Sequence, residues 1–243
     1  MSPPPLTILP TGPDRPARRP SDIFGSFYYL AVAGLLVLVA WLAWFGYQAW
    51  SLRDLWRDVA VVHDSTESEG ARVAAARRLV TDPRFEPRQV WDILIEDELP
   101  PRVRFALADG LPAEVALLEP RVYLGALAGR GSWPSWLRSV LILKAARVAE
   151  KGAAWPRGPI ETLGTDADPA VRLLASFLAA ACFDDPAGRT RIESSRDDAT
   201  WGEFAVALLG ALQADPASRA GHFDEATRQL EANHPDFPKL MGR

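Results

Sequence analysis

The sequence predicts an all-α membrane protein: a single transmembrane helix near the N-terminus, followed by a water-soluble α-solenoid or irregular helical bundle. Three observations carry this expectation. No charged side chain occurs between Ile23 and Leu52. Beyond it, apolar residues recur at three- and four-residue steps, and strand-like alternation is almost absent. Pro, Gly and Asp punctuate these helical stretches at roughly regular intervals. The chain divides into a proline-rich tail (1–22), the transmembrane helix (23–50), a juxtamembrane helical stalk (51–64), a soluble domain (65–235) and a short C-terminal tail (236–243).

The tail carries Pro3, Pro4, Pro5, Pro10, Pro13, Pro16 and Pro20, which exclude regular helix and predict an extended, solvated tether. Pro10-Thr-Gly-Pro13 and Pro13-Asp-Arg-Pro16 have the spacing of a polyproline ligand, a pattern that proline-rich tails also produce by chance.

Next, Phe27 to Tyr47 is almost wholly apolar, and about 20 residues suffice to cross a hydrocarbon core. Phe24, Phe27, Tyr28 and Tyr29 precede the run, and Trp41, Trp44, Tyr47 and Trp50 close it, as aromatic rings do at the two membrane interfaces. A buried core helix seldom runs this long without charge. A cleaved signal peptide would be shorter and would end in small residues, so the segment reads as an uncleaved signal anchor. Arg15, Arg18 and Arg19 face Arg53 and Arg57 across it, and this excess of one places the N-terminus in the cytoplasm and the C-terminal domain in the periplasm of an inner membrane.

In the stalk, Leu52, Leu55, Trp56, Val59 and Val62 share one helical face, with Arg53, Asp54, Arg57 and Asp58 on the other. That apolar stripe requires a partner, and its own domain is the simplest one. Thr66-Glu-Ser-Glu69 and Thr200-Trp-Gly-Glu203 have the pattern of a capping box, and Asp168-Pro169 also starts a helix well. The segments Trp136–Val148 and Val171–Phe183 are apolar around most of their circumference, as helices packed between others are. Trp201, Phe204, Ala205, Leu208, Leu209 and Leu212 form a single stripe, and the last helix, around Phe223, Ala226, Thr227 and Leu230, is thinner in apolar residues, as a terminal capping helix is.

Two stretches carry a family resemblance. Asp166-Ala-Asp168-Pro169-Ala-Val171-Arg172-Leu-Leu-Ala175 and Pro101-Arg-Val103-Arg104-Phe-Ala106-Leu-Ala108-Asp-Gly-Leu111 resemble the inter-helix turn and second-helix start of a HEAT repeat. In that family Asp ends the turn, Val and Ala face the core, and Arg bonds turn groups of adjacent repeats. The resemblance therefore implies structural roles for Arg104 and Arg172. Val73-Ala-Ala-Ala76, Val140-Leu-Ile-Leu143 and Phe204-Ala-Val-Ala207 are degenerate matches to the same position, at the spacing of helical-pair repeats. The resemblance spans Thr66 to Asn233. Extra breaks at Pro120, Gly125, Gly129 and Gly131 interrupt Ala113–Pro134, which leaves the irregular bundle open as the alternative.

Composition narrows the function classes. The formal charge is -4 and the arginines are scattered, which argues against a nucleic-acid partner. Cys182, the only cysteine, excludes an intrachain disulfide and any multi-thiol zinc site, and its apolar setting predicts a buried position. His63, His222 and His234 lie far apart, without metal-ligand spacing, and no phosphate-binding loop, dinucleotide fingerprint or nucleophile elbow is present. No cofactor is expected. The acidic clusters Glu96-Asp-Glu98, Asp184-Asp185 and Asp197-Asp198 flank turns and read as solvated ends and helix caps. The aromatic group Trp133, Trp136 and Trp155 reads either as a partner-docking surface or as a plug between irregular repeats.

The expected function is therefore a non-enzymatic, membrane-anchored scaffold for protein partners, contacting lipid through its anchor. An accessory or assembly subunit of a larger inner-membrane complex is the alternative. An all-helical enzyme remains a third reading, and it requires carboxylates that converge in one deep pocket.

Overall fold

A computed structural model describes residues 20–96, 98–150 and 154–234, with the side chains of 20–27 and 216 left aside. Most of the proline-rich tail and the whole segment 236–243 lie outside these residues. Every regular element among the described residues is a helix. The first, α1 (Pro20–Ser51), is long and apolar enough to cross a membrane, and its large side chains from Tyr28 to Trp50 are exposed. The residues from Leu55 onward form a separate compact unit.

That unit contains α2 (Arg53–His63, from Leu55), α3 (Glu69–Thr81), α4 (Pro87–Leu94), α5 (Pro101–Gly110), the single turn α6 (Val115–Leu118), α7 (Pro120–Gly129), α8 (Ser135–Arg147), α9 (Arg157–Leu163), α10 (Pro169–Phe183), α11 (Pro186–Ser194), α12 (Gly202–Gln213) and α13 (Pro216–Asn233). The stripe of the 51–64 segment packs on its own domain, its simplest partner, and the compact unit begins within that segment. Leu55 and Val62 are buried, and Val59 and Val61 pack on the same core, so α2 is the first helix of the domain, leaving only Trp56 of its stripe exposed.

Helix starts follow a recurrent acid–proline pair. Asp168, Asp185 and Asp215 each accept backbone N–H bonds from the first turn of α10, α11 and α13, and the proline that follows occupies the position where no donor is needed. Pro87 starts α4 behind Glu86, which forms a capping box with Gln89, and Pro120 starts α7 behind Glu119, whose side chain makes no cap bond. The two capping boxes expected at Thr66 and Thr200 do not form. Ser68, not Thr66, caps α3, because Thr66 turns back to bond Asp64 through its N–H and its hydroxyl. Before α12, Asp198 takes the N–H groups of Thr200 and Trp201 at 2.8 Å, so the turn is closed one step earlier than the Thr200 pattern implies. Asp184, which ends α10, adopts a left-handed conformation with φ of 52°.

The second members of successive helix pairs, α3, α5, α8, α10 and α12, pack on one another in chain order. Helices α9 and α11 flank α10, α11 also meets α12, and α4 and α7 back α5 and α8. The terminal helix α13 returns over this row, packing on α12 and α8, while its Phe223 meets Phe177 of α10 edge-on at 5.4 Å. Arg147 at the end of α8 pins it by donating to Asp224 and Thr227.

Four arginines mark the row at intervals of 32, 34 and 34 residues: Arg72, Arg104, Arg138 and Arg172, one near the start of each of α3, α5, α8 and α10. Arg72 donates to Val62 O at 2.9 Å and Arg104 to Glu96 O at 2.6 Å, each satisfying a carbonyl at the end of the preceding helix or turn. Arg172 donates to Asp166 O and Ala167 O, both at 2.7 Å. Arg138 instead reaches forward to the next pair and forms a buried, two-pronged ion pair with Asp166. Asp166 also accepts the N–H of Asp168 at 2.9 Å.

Candidate functional site

The tryptophan group is the first correction. Trp133, Trp136 and Trp155 are 4 %, 2 % and 5 % exposed and belong to the core, so they present no surface for docking. Trp133 is enclosed between the Arg104 and Arg130 guanidinium groups, at 5.4 and 4.9 Å from its ring centre, and Trp136 meets Phe105 of α5 edge-on. Trp133 and Trp136 thus fill the joint between α5, the end of α7 and α8, and Trp155 is buried in the core before α9.

The polar clusters resolve into structure. Asp185 and Asp198 close helix starts, and Glu96 pairs with His63 at 3.0 Å. Cys182 is buried, and that burial pushes its thiol up to about 12, where it is inert at neutral pH. One constellation was invisible in the sequence: His234 Nε2 lies 3.0 Å from Ser135 Oγ and 4.0 Å from Asp168 Oδ2. These are the residue types of a hydrolytic triad, but both neighbours address the same ring nitrogen. A relay needs the carboxylate on the other nitrogen, orienting the ring that accepts the serine proton. Asp168 is already the cap of α10, and the histidine is 7 % exposed, so the cluster seals α13 against α8 and α10.

Two cavities are substantial. A volume of about 440 Å³ lies between α5, α8 and α13, with Lys144, Arg147, Asp109 and Glu231 among its walls. Its cations are committed to packing: Lys144 donates to Asp109 O at 2.8 Å, and Arg147 holds α13. Burial lowers the pKa of Lys144.

The second, about 370 Å³, is an open groove between α4 and the α6–α7 corner. Its floor is rigid. Trp91 and Tyr123 stack at 4.5 Å, and the Tyr123 hydroxyl donates to Leu141 O at 2.8 Å. Burial raises the phenol's pKa well above its ordinary value, so it stays a donor. Ile95, Val115, Leu118 and Val122 complete the apolar lining. Because α6 is one turn long, it buries only Val115 and Ala116, and Leu117 and Leu118 point outward. Pro120 then starts α7 in a new direction, leaving Val122 beside them. Leu117, Leu118 and Val122 are 44 %, 63 % and 52 % exposed, and within the compact unit they form the concentration of exposed large aliphatic side chains. The rim is acidic: Glu86, Asp92 and Glu119 stand against Arg88, which pairs with Glu119 at 3.1 Å.

The α6–α7 groove was missed at the sequence level, although Val-Ala-Leu-Leu-Glu-Pro, with four consecutive apolar residues before a proline, was its available signal. Comparison with protein-family models, with curated proteins and with solved structures finds no match.

Proposed function

We propose that this chain is a single-pass, membrane-anchored interaction protein. In this reading α1 is a signal anchor, the N-terminus is cytoplasmic, and a HEAT-like helical domain stands in the periplasm, holding a protein partner as a scaffold or as an accessory subunit of an inner-membrane complex. The length and apolar character of α1 support the anchor. The evenly spaced arginines of α3, α5, α8 and α10 support the repeat character.

The observation that carries the docking role is the exposed apolar corner of Leu117, Leu118 and Val122 over a rigid groove. Exposed apolar side chains are costly when they have no partner, and a concave floor adds shape to the attraction. Helix α13 packs on α12 and α8 and, among the described residues, does not pack on α4, α6 or α7. Both acidic caps and the Ser135–His234–Asp168 cluster have structural tasks, and the reading therefore assigns no chemical step.

The test is a photo-crosslinking amino acid placed at Leu118 in the full chain in its native membrane, with the exposed Arg189 of α11 as the control position. A discrete, high-yield protein adduct at Leu118 and none at Arg189 is the expected result. Equal, diffuse labelling at both positions would overturn the docking role.

A further inference from the structure

We infer that the α4/α6–α7 groove receives an amphipathic helix whose apolar face is flanked by lysine or arginine. The inference rests on the docking reading and names the chemistry of its occupant.

Three features select a helix. The groove is open at the surface and about 370 Å³ in volume, enough for a few apolar side chains but not for a folded edge. Its two walls are themselves helices, α4 and α7, with the single turn α6 at one end. A third helix laid between two others meets ridges and grooves at the usual packing distances. The backbone groups bordering the groove are already bonded within those helices, so no unpaired strand edge is offered to an extended peptide.

The rim selects the charge. Glu86 and Asp92 line the α4 side and have no cation among the lining residues besides Arg88, which is engaged by Glu119 on the opposite side. An incoming helix with acidic flanks would meet like charge along the α4 wall, whereas basic flanks would be attracted there and held in register. The same acidic rim disfavours the other apolar occupant at hand, an anionic lipid surface, which attracts basic and not acidic protein faces.

The test uses the full chain in phosphatidylcholine nanodiscs and two labelled peptides of roughly 18 residues, about five helical turns. Both carry leucine at helical spacing, one with lysine flanks and one with glutamate flanks, and binding is read by fluorescence anisotropy against empty nanodiscs. The lysine peptide is expected to bind at least tenfold more tightly, and its binding should weaken as salt rises. Leu118→Asp with Val122→Asp should abolish binding. Glu86→Lys with Asp92→Lys should weaken the lysine peptide about tenfold and reverse the preference. All four positions are exposed, so the variants are expected to fold, which an unchanged helical circular dichroism melt would verify.

Equal binding of the two peptides, or binding indifferent to Leu118→Asp, overturns the inference. So does self-association of the full chain that Leu118→Asp abolishes, because the occupant is then a second copy. Transfer of this face onto anionic vesicles, lost in the same variant, overturns it in favour of lipid. If crosslinking at Leu118 still yields a protein adduct while the peptides show no charge preference, the docking role stands and only the basic-helix inference falls.

Discussion

Replacing Arg138 with methionine removes the cation from the joint between α8 and α10 and strands the Asp166 carboxylate. Arg138 and Asp166 are 7 % and 13 % exposed at the side chain, so water replaces the lost partner poorly. Asp166 would retain the Asp168 N–H as its partner at 2.9 Å. Breaking a buried ion pair from one side costs about 3–5 kcal/mol. For a unit of this size each kcal/mol shifts the melting midpoint by about 2–4 °C, which predicts a drop on the order of 6–20 °C. Asp166→Asn should cost a similar amount, since it leaves the guanidinium buried opposite a neutral amide. The double variant should recover most of the loss. Met fills the space of the Arg stem, Asn keeps an acceptor for Asp168, and the native pair is itself imperfect, with Arg138 Nε buried and unbonded. The assay is thermal and urea unfolding of the full chain in detergent micelles, followed by tryptophan fluorescence and far-ultraviolet circular dichroism. pH supplies an independent check. Burial pushes the Asp166 carboxyl up, but the hydrogen bonds from Arg138 and from the Asp168 N–H outweigh it and leave the pKa lowered. A lowered folded pKa gives stability that is present above the ordinary carboxylate range and lost as pH falls through the folded value. The gap between wild type and Arg138→Met should therefore narrow below about pH 4. Single variants costing less than about 1 kcal/mol, or a double variant whose loss is the sum of the singles, would refute the account of this joint.

Two glycines should respond in opposite directions to alanine. A Cβ on Gly188 would lie 2.6 Å from Ser176 O and 3.2 Å from Ala180 N of α10, so Gly188→Ala should destabilise by about 1–3 kcal/mol as α11 is pushed off. Gly221, inside α13, has open space there, and Gly221→Ala should stabilise by about 1 kcal/mol in the same unfolding assay. Acid should unfold the domain through its turns. The Arg84 side chain and N–H bonds hold Asp82 down at about 2, and hydrogen bonds from Thr66, from Trp201 and from Ser218 lower Asp64, Asp198 and Asp215. All four shifts are downward, so the melting midpoint should be level from pH 7 to about 5 and fall between about pH 4 and 2. A midpoint that rises on acidification would contradict this.

The all-helical fold and the apolar N-terminal helix were legible because both rest on periodicity and composition, which are local. Arg104 and Arg172 were legible through the valine that precedes each of them. Arg72 and Arg138 occupy equivalent places in α3 and α8 but follow Ala71 and Leu137, so the pattern around Val73 and Val140 set the register wrongly by a few residues. The capping boxes failed because Asp64 and Asp198, each two residues before the threonine, take in a tight local turn the threonine N–H that the Glu69 or Glu203 carboxylate would otherwise have accepted. The tryptophans stayed open between surface and plug because proline neighbours resemble a loop. Only the approach of Arg104, Arg130 and Phe105, up to 31 residues away in sequence, shows that the rings are enclosed.

The same contrast bears on the proposed docking surface. The arginines spaced from α3 to α10 bond groups at the turns around these helices, which is a structural task. The stretch 113–134, between α5 and α8, is where the helices are shortest and least regular, although the arginine spacing runs through it unchanged, and in the proposed reading it carries the partner-specific surface. Irregularity alone does not select a site, because Trp133 also lies there and is consumed by packing. The deciding combination is an irregular stretch together with side chains whose exposure the fold leaves unexplained. Leu117 and Leu118 satisfy both conditions: α6 needs only Val115 and Ala116 to seal against α4 and α8, and polar residues in the two outward positions would serve solubility better. Replacing that pair with glutamine should therefore leave the melting midpoint of the domain within a few degrees of wild type while removing the crosslink from a probe placed at the neighbouring exposed Val122. A fold that depended on the two leucines would instead lose both together.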